Sequence, residues 1–313
     1  MFGVISEKRE MHTEVVTNLQ ECERLWKKFS KIHTLWDLWE VNHAFFDPIH
    51  HKPHFIVVKD EADSQGLLPL MFDSSAGKYY YFGGNFPENR QLLFAPESFP
   101  LIIKAIPKPA TLYDINAASA QAVLKANPEA GQWVKEAHPH YVLKLAKFEF
   151  SIDKFLSTFS KKHRKNLLYD IKQLSKLSYK LAWNTTEHFD GFVNLNMRRF
   201  GQESDLSDVD FIQAMKHFVA FLNQNKMLHT LCIFINGSLE GIEIAAMYKN
   251  VYYVLNGGYN RQFSNIGKLL IFEHIKKAIE LKAETVDFLS GDTGWKQLWN
   301  FEKEPYYQLE IQP

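Results

Sequence analysis

The chain has 313 residues and carries 36 basic against 36 acidic side chains, so its formal net charge is zero. That balance excludes a protein whose main task is to coat DNA or RNA, which needs a strongly basic surface. The length suits one large domain or two of about 150 residues each. Two cysteines, Cys22 and Cys232, leave no disulfide framework and no C-x-x-C zinc spacing.

Both cysteines are expected as small core residues. Residues 1–14 carry charge throughout and lack an apolar signal core. No run approaches the roughly 18 apolar residues of a membrane span. The expectation is a cytoplasmic protein with no transmembrane segment.

The first predicted element is a helix over 19–30, followed by an aromatic-rich stretch with Trp26, Trp36 and Trp39 that should pack internally. His50, His51 and His54 precede a strand at 55–59. Pro53 interrupts them and no Asp, Glu or Cys set completes a ligand pattern, so no metal site is expected. Polar turns at 61–66 and 74–77 separate strands at 67–72 and 79–82, and Gly83-Gly84-Asn85 then bends the chain. A helix at 97–106 ends at Pro107-Lys108-Pro109. Strands follow at 111–115 and 141–145, with a short helix or loop at 127–138 between them.

Ser151 is a plausible N-cap for the second half. From Lys161 onward, Leu167, Leu168, Ile171, Leu174 and Leu177 repeat at helical spacing. The leading edge of that helix, Lys161-Lys162-His163-Arg164-Lys165, puts cations where the helix dipole disfavours them. A charge run is usually a solvated face, yet this one is compact enough to grip a phosphorylated ligand. Helices are expected at 189–200 and from Asp208. Strands at 229–235, 239–248 and 251–257, with Asn236-Gly237 as a hairpin turn, a helix at 267–282 and a strand at 285–289 make one mixed sheet. Residues 306–311 add a final strand to it. Gly83-Gly84 and Gly257-Gly258 fall at comparable points of two similar rhythms, which hints at duplication.

The segment Gly257 to Lys268 reads as a turn between a strand and a long amphipathic helix. A helix start offers unpaired N–H groups and a favourable dipole to an anion. Gly267 allows close approach, Asn265 tolerates a left-handed backbone, and Arg261 and Lys268 add charge. An ordinary strand-to-helix connection is the plainer reading. A nucleotide-triphosphate loop fails, because its first glycine falls on Gln262 and Leu269 follows Lys268. The G-x-G-x-x-G dinucleotide spacing is absent too.

Several pieces in order carry a resemblance: Ser160 to Leu167, Asn236-Gly237 through Gly241, Gly258-Tyr259-Asn260, Asn265-Ile266-Gly267 and Asp287 to Asp292 with Trp295-Lys296 and Trp299. Over roughly 141–302 the chain resembles the acetyltransferase domain of CelD-like cellulose-biosynthesis proteins. That group lies in the GNAT superfamily and is related to the FemAB peptidoglycan aminoacyltransferases. Phe55-Ile56-Val57-Val58, Gly66-Leu67-Leu68-Pro69 and Tyr81 to Gly84 resemble the degenerate N-terminal unit of such proteins. The resemblance implies an α/β chain of tandem GNAT-like folds, each a mixed central sheet flanked by helices, over 1–145 and 146–313. It also implies acyl transfer from acetyl-CoA or another acyl-CoA to an amine on a small molecule, sugar or peptide.

In that family a Q/R-x-x-G-x-G/A loop binds the cofactor pyrophosphate. Gln262, Asn265, Ile266, Gly267 and Lys268 are the matching residues here, with Asn265 in place of the first glycine. Trp295 stands where the family often has a tyrosine. Acyl transfer to an amine needs a base for the amine and an acid for the leaving thiolate. Asp292, in a glycine-flanked turn after a core strand, is the first candidate base, and its plainer role is a helix cap. Glu243, whose strand neighbours face the other way, is the second. Tyr259 is the candidate acid, or else an aromatic plug in its turn. Arg164, Lys296 and Trp295 are expected to meet the acceptor. Two other readings compete: a FemAB-like transferase using aminoacyl-tRNA, and a non-catalytic protein that keeps the fold, favoured by Asn265 and Trp295.

Overall fold

A computed structural model of the chain describes residues 10–61, 63–184, 187–291 and 294–313. The chain forms two compact units, Met1–His138 with Pro305–Pro313, and Pro139–Glu304. Among the described residues no helix is long and apolar enough to cross a membrane.

The first unit contains β1 (His12–Val16), α1 (Leu19–Phe29), α2 (Trp39–Ala44), β2 (His51–Lys59), β3 (Ser64–Asp73), β4 (Lys78–Tyr81), α3 (Phe99–Ala105), β5 (Ala110–Asn116) and α4 (Ala117–Ala126). Helix α1 starts where the Asn18 side chain accepts from Glu21 N–H and ends with Lys27 and Lys28 in its last turn, both favourable to the dipole. Its buried face is Cys22, Leu25 and Trp26. The aromatic stretch packs inside as expected, with Trp39 stacked on Phe82 at 4.8 Å and Trp26 edge-on to Trp39. Of the three histidines, His51 and His54 lie within β2 and His50 just before it, and His51 Nδ1 accepts from Asp47 N–H at 3.0 Å in the turn that leads into the strand. Helix α4 has no counterpart in the sequence expectations. It is alanine-rich, so it lacks the apolar contrast that marks a helical face, and its signal is the Asn116 cap accepting from Ser119 N–H.

The second unit contains α5 (Ile152–Ser157), α6 (Lys161–Leu174), β7 (Tyr179–Trp183), α7 (Phe189–Phe200), α8 (Val209–Gln224), β8 (Leu228–Ile235), β9 (Ser238–Tyr248), β10 (Val251–Tyr259), α9 (Ile266–Glu280) and β11 (Thr285–Ser290), preceded by β6 (Val134–Lys144). Ser151, Ser160 and Asp208 cap α5, α6 and α8 through their side-chain oxygens. Asn236 and Gly237 make the β8–β9 turn with φ of 52° and 85°. Ile266, Leu269, Leu270, Ile275 and Ala278 fix α9 on the sheet by burial, at about 1.5–3 kcal/mol for each large aliphatic side chain.

Two expectations change. The segment Gly257 to Tyr259 is strand, not turn: all three residues belong to β10, and the turn begins at Asn260. Gly258 is there for packing. A Cβ on it would lie 2.3 Å from Asn196 N and 2.6 Å from Leu195 C, so α7 can rest on β10 only at a residue without a side chain. The final strand also differs. β12 (Glu302–Ile311) is longer than expected and pairs antiparallel with β5, from Tyr306–Asn116 to Ile311–Ala110.

With β12 in place the two units share one topology. The first runs β1-β2-β3-β4-β5-β12 and the second β7-β8-β9-β10-β11-β6. In each, neighbours are antiparallel except for one parallel pair, β4–β5 or β10–β11. In each, a helix lies in the connection across that pair. Both are mixed sheets flanked by helices, a tandem of one fold. The strands after the parallel pair are exchanged in chain order: β6, made before β7 to β11, completes the second, and β12, made last, completes the first.

Candidate functional site

Strand alternation places Glu243. On β9 its neighbours Ile242 and Ile244 are buried on one face, and Glu243 points to the other. There it lines a cavity of about 630 Å³. Gly257 and Tyr259 of β10 form one wall, and the first turn of α9 supplies Asn265, Gly267 and Lys268. Facing these are Ser160, Lys162, His163, Asn166 and Asp170 of α6 and its cap, with Arg199 of α7 and with Trp295, Leu298 and Trp299 after β11.

The sheet opens for this cavity. β10 and β11 pair over Val251–Tyr253 and Thr285–Asp287, while β10 runs on to Tyr259. A register shift between Val254 and Asn256 makes Leu255 the extra residue of a bulge, a feature that bends a strand and takes one residue out of the ladder. Asn196 of α7 pins the bulge. Its Nδ2 donates to Asn256 Oδ1 at 3.0 Å and to Gly257 O at 2.8 Å, and Ser204 Oγ donates to its Oδ1 at 2.5 Å.

The other end of the cavity is the start of α9. Asn265 is the N-cap residue of α9, left-handed at φ 74° and ψ 0°, and its side chain makes no capping bond. Asn265, Gly267 and Lys268 at the start of this 15-residue helix line the cavity, and the Asn265 side chain does not cap the first turn. Gly267 lies against Tyr259: a Cβ there would meet the ring and Oη at 3.0 Å. The residues present therefore fit a pyrophosphate, and the one departure from the glycine pattern keeps the needed backbone. Asn265→Gly should change unfolding free energy by less than about 1 kcal/mol, whereas Asn265→Val should cost about 1–2 kcal/mol, because only the latter opposes a positive φ. Urea melts of the three proteins check this.

Among the other residues singled out from the sequence, several hold structure. Ile266 is fully buried among Leu231, Ile233 and Leu269, so only its backbone N–H is available to an anion. Lys268 donates to Asp170 Oδ2 at 2.5 Å and ties α9 to α6. Lys296 is buried, donates to Leu289 O at 3.0 Å and Ser290 O at 2.5 Å, and lies over the Tyr141 ring. Gln262 sits in the exposed turn, its N–H donating to Asn260 Oδ1. Arg164 is on the first turn of α6, beside Lys162 and His163, which do line the cavity. Trp295 packs against Phe288 and Phe301 and lines the cavity as well. Asp292 lies outside the described residues. Cys22 and Cys232 are both buried, as core residues.

The electrostatics centre on Glu243. Its side chain is 17% exposed, and burial pushes its carboxyl up to about 7, against the opposing pull of Arg199. Arg199 stacks its guanidinium over the Tyr259 ring at 4.2 Å, and burial lowers its own pKa. A carboxyl whose pKa burial raises, a phenol and a cation thus share one cavity with a helix start. Sequence reasoning missed Arg199. It stands beside Arg198 in the last turn of α7, where cations are expected simply to complement the dipole.

Residues 161–297 match the family model described as Acetyltransferase (GNAT) domain. No curated protein sequence matches the chain. Among solved structures, FemX has a TM-score of 0.61 at 12% identity, covering 96% of this chain and 97% of that one. L-PGS from Bacillus licheniformis has a TM-score of 0.56 at 12% identity, covering 95% and 92%. A tandem GNAT protein from the clavulanic acid biosynthesis pathway has a TM-score of 0.54 at 13% identity, covering 97% and 99%. At these identities the likeness is one of fold, and it extends over both units. The domain match, over 161–297, is to the GNAT acetyltransferases, and an acyltransferase is the kind of enzyme it supports.

Proposed function

We propose that the second unit transfers an acyl group, acetyl by first choice, from an acyl-CoA to an amine on a small molecule, sugar or peptide. The carrying observation is the placement of Glu243 in the cavity that also holds the start of α9. A carboxyl near 7 suits a general base at neutral pH. The first-turn amides of α9 take the pyrophosphate of the thioester. Glu243 removes the proton from the acceptor ammonium, the freed amine attacks the thioester carbonyl, and the C–S bond breaks. Tyr259 protonates the departing thiolate and is itself restored by the second proton that the attacking nitrogen gives up, and the product amide leaves. Trp295, with Trp299 and Leu298, gives the acceptor an apolar wall, and Arg164 and Lys162 lie toward any anionic part of either substrate. Asp292, which lies outside the described residues, stays in this proposal as the second candidate base. The CelD-like resemblance and a cytoplasmic setting belong to the same reading.

A second reading uses aminoacyl-tRNA as the donor. The fold likeness to FemX and the exposed row Lys161, Lys162 and Lys165 beside the cavity favour it. It predicts binding that weakens steeply with salt.

The test is the melting temperature with acetyl-CoA, longer acyl-CoAs and free coenzyme A, for the wild type and for Gly267→Trp. The expected result is a rise of several degrees in the wild type at ligand well above its Kd, abolished by the substitution, which fills the space Tyr259 closes. No rise with any thioester would overturn the acyl-CoA reading.

A further inference from the structure

Behind Glu243, away from the cavity, three buried side chains form a line. Glu243 Oε2 stands 3.6 Å from His274 Nε2 on α9, and His274 Nδ1 stands 2.8 Å from the Tyr252 hydroxyl on β10. His274 and Tyr252 are both fully buried. Glu243 Oε2 and His274 Nε2 are buried too, and neither has a hydrogen-bond partner within normal distance. His229 of β8 packs on the Tyr252 ring at 5.7 Å, and Trp183 of β7 on the His274 ring at 5.4 Å.

The donors and acceptors along this line admit one consistent arrangement when Glu243 is ionised. If Nδ1 carried the proton, it would donate to Tyr252, the buried phenolic hydrogen would have nothing to meet, and the bare Nε2 would face a carboxylate oxygen. If the phenol donates to Nδ1, the proton sits on Nε2 and points at Glu243. Every group is then used, and an unmade buried hydrogen bond costs about 1–3 kcal/mol.

We infer that His274 is a positioning residue, held by Tyr252 as its Nε2–H tautomer so that it donates to Glu243 Oε2 and leaves Oε1 for the acceptor in the cavity. The inference rests on the reading of Glu243 as the base. The surrounding charges agree with it. Burial drives His274 down to about 3 and raises Tyr252 well above its usual range, so one is a neutral imidazole and the other a neutral phenol. The other ionisable groups acting on the line are Arg199 of α7, His229 of β8, and Lys277 and Glu280 of α9. His229 is itself lowered by burial, so it stays neutral near pH 7. A long contact of this type shortens when the substrate is bound.

Nitrogen NMR of the full chain with ¹⁵N-labelled histidine tests this, His274 being assigned by its loss in His274→Gln. The expected spectrum is a neutral ring protonated on Nε2 from pH 5 to 9. Its Nε2–H signal should move with a midpoint near 7 and stop moving in Glu243→Gln. Tyr252→Phe should release the tautomer toward Nδ1–H below the Glu243 midpoint, where no carboxylate is left to hold the Nε2 proton. His274→Leu should raise the Glu243 midpoint, read by carboxyl ¹³C NMR, by about one pH unit, and His274→Gln should return it most of the way. A ring protonated on Nδ1, or a Glu243 midpoint unmoved in His274→Leu, overturns the inference. If the leucine variant fails to fold, the wild-type tautomer decides alone. These readouts need no thioester. An Nε2–H tautomer without acyl-CoA binding would sink the proposed reaction and leave the hydrogen-bonded line standing.

Discussion

Glu243→Gln should unfold at higher denaturant than the wild type at pH 8 and at the same denaturant at pH 4. A carboxyl free in the unfolded chain ionises near 4.5, while in the folded protein burial holds it protonated up to about 7. Between those values the unfolded state is the one that has lost its proton. Stability therefore falls as pH rises through that window, and the loss is complete above 7. The gap corresponds to about 3 kcal/mol at 1.36 kcal/mol per pH unit, and an amide at this position does not incur it. His274 acts in the other direction, since its lowered pKa removes stability as pH falls below 6.5, but it is present in both proteins and cancels in the comparison. Urea melts at four or five pH values measure the difference. A gap that is constant with pH would mean that Glu243 ionises as freely in the fold as in water, and the base assigned to the site would lose its basis. The same burial that makes this carboxyl useful at neutral pH makes it a burden to the fold there, as expected of a functional residue.

Gly258→Ala should cost about 3 kcal/mol. The added methyl would stand 2.3 Å from one backbone atom of α7 and within 2.8 Å of two more, and backbone cannot rotate aside as a flexible side chain does. Helix α7 must lift off β10. The damage reaches the site, because α7 also carries Arg199 over Tyr259 and Asn196 against the bulge. Gly237→Ala is the control. It has φ of 85° but open space around it, so it should cost only about 1–2 kcal/mol and leave ligand binding intact. If the two variants lose equal stability, close approach of α7 is not the reason for the glycine at 258.

Much of the second unit was legible along the chain. The Leu167 to Leu174 stripe, the Asn236-Gly237 turn and the alternation around Glu243 are local patterns, and local patterns survive folding. Gly258 was readable as a glycine but not for its reason: an extended glycine in a strand looks like a turn residue until the helix that rests on it is known. The first unit's α4 carried too little apolar contrast to announce itself. The site was half legible. Asn265, Gly267 and Tyr259 stand in one stretch of sequence, so their company could be read. Arg199, Asp170 and His274 come from α7, α6 and the middle of α9, and only the packing of those helices on the sheet brings them to Glu243 and its cavity. Lys296 shows the opposite failure. A lysine after a glycine turn looks free to bind a ligand, and the fold commits it to two backbone carbonyls.

The exchange of β6 and β12 bears on how the protein is born. A ribosome makes the first unit's strands β1 to β5 early, yet the partner of β5 emerges only after all of Pro139–Glu304 has been translated. In the meantime β5 has an open edge, a surface that invites wrong pairing. The second unit has no such wait, because β6 precedes it and is ready when β11 appears. Domains made first usually fold first. Here the later half can close its sheet while the earlier half is still waiting for its last strand, and a nascent-chain chaperone would find its client at the N-terminal end.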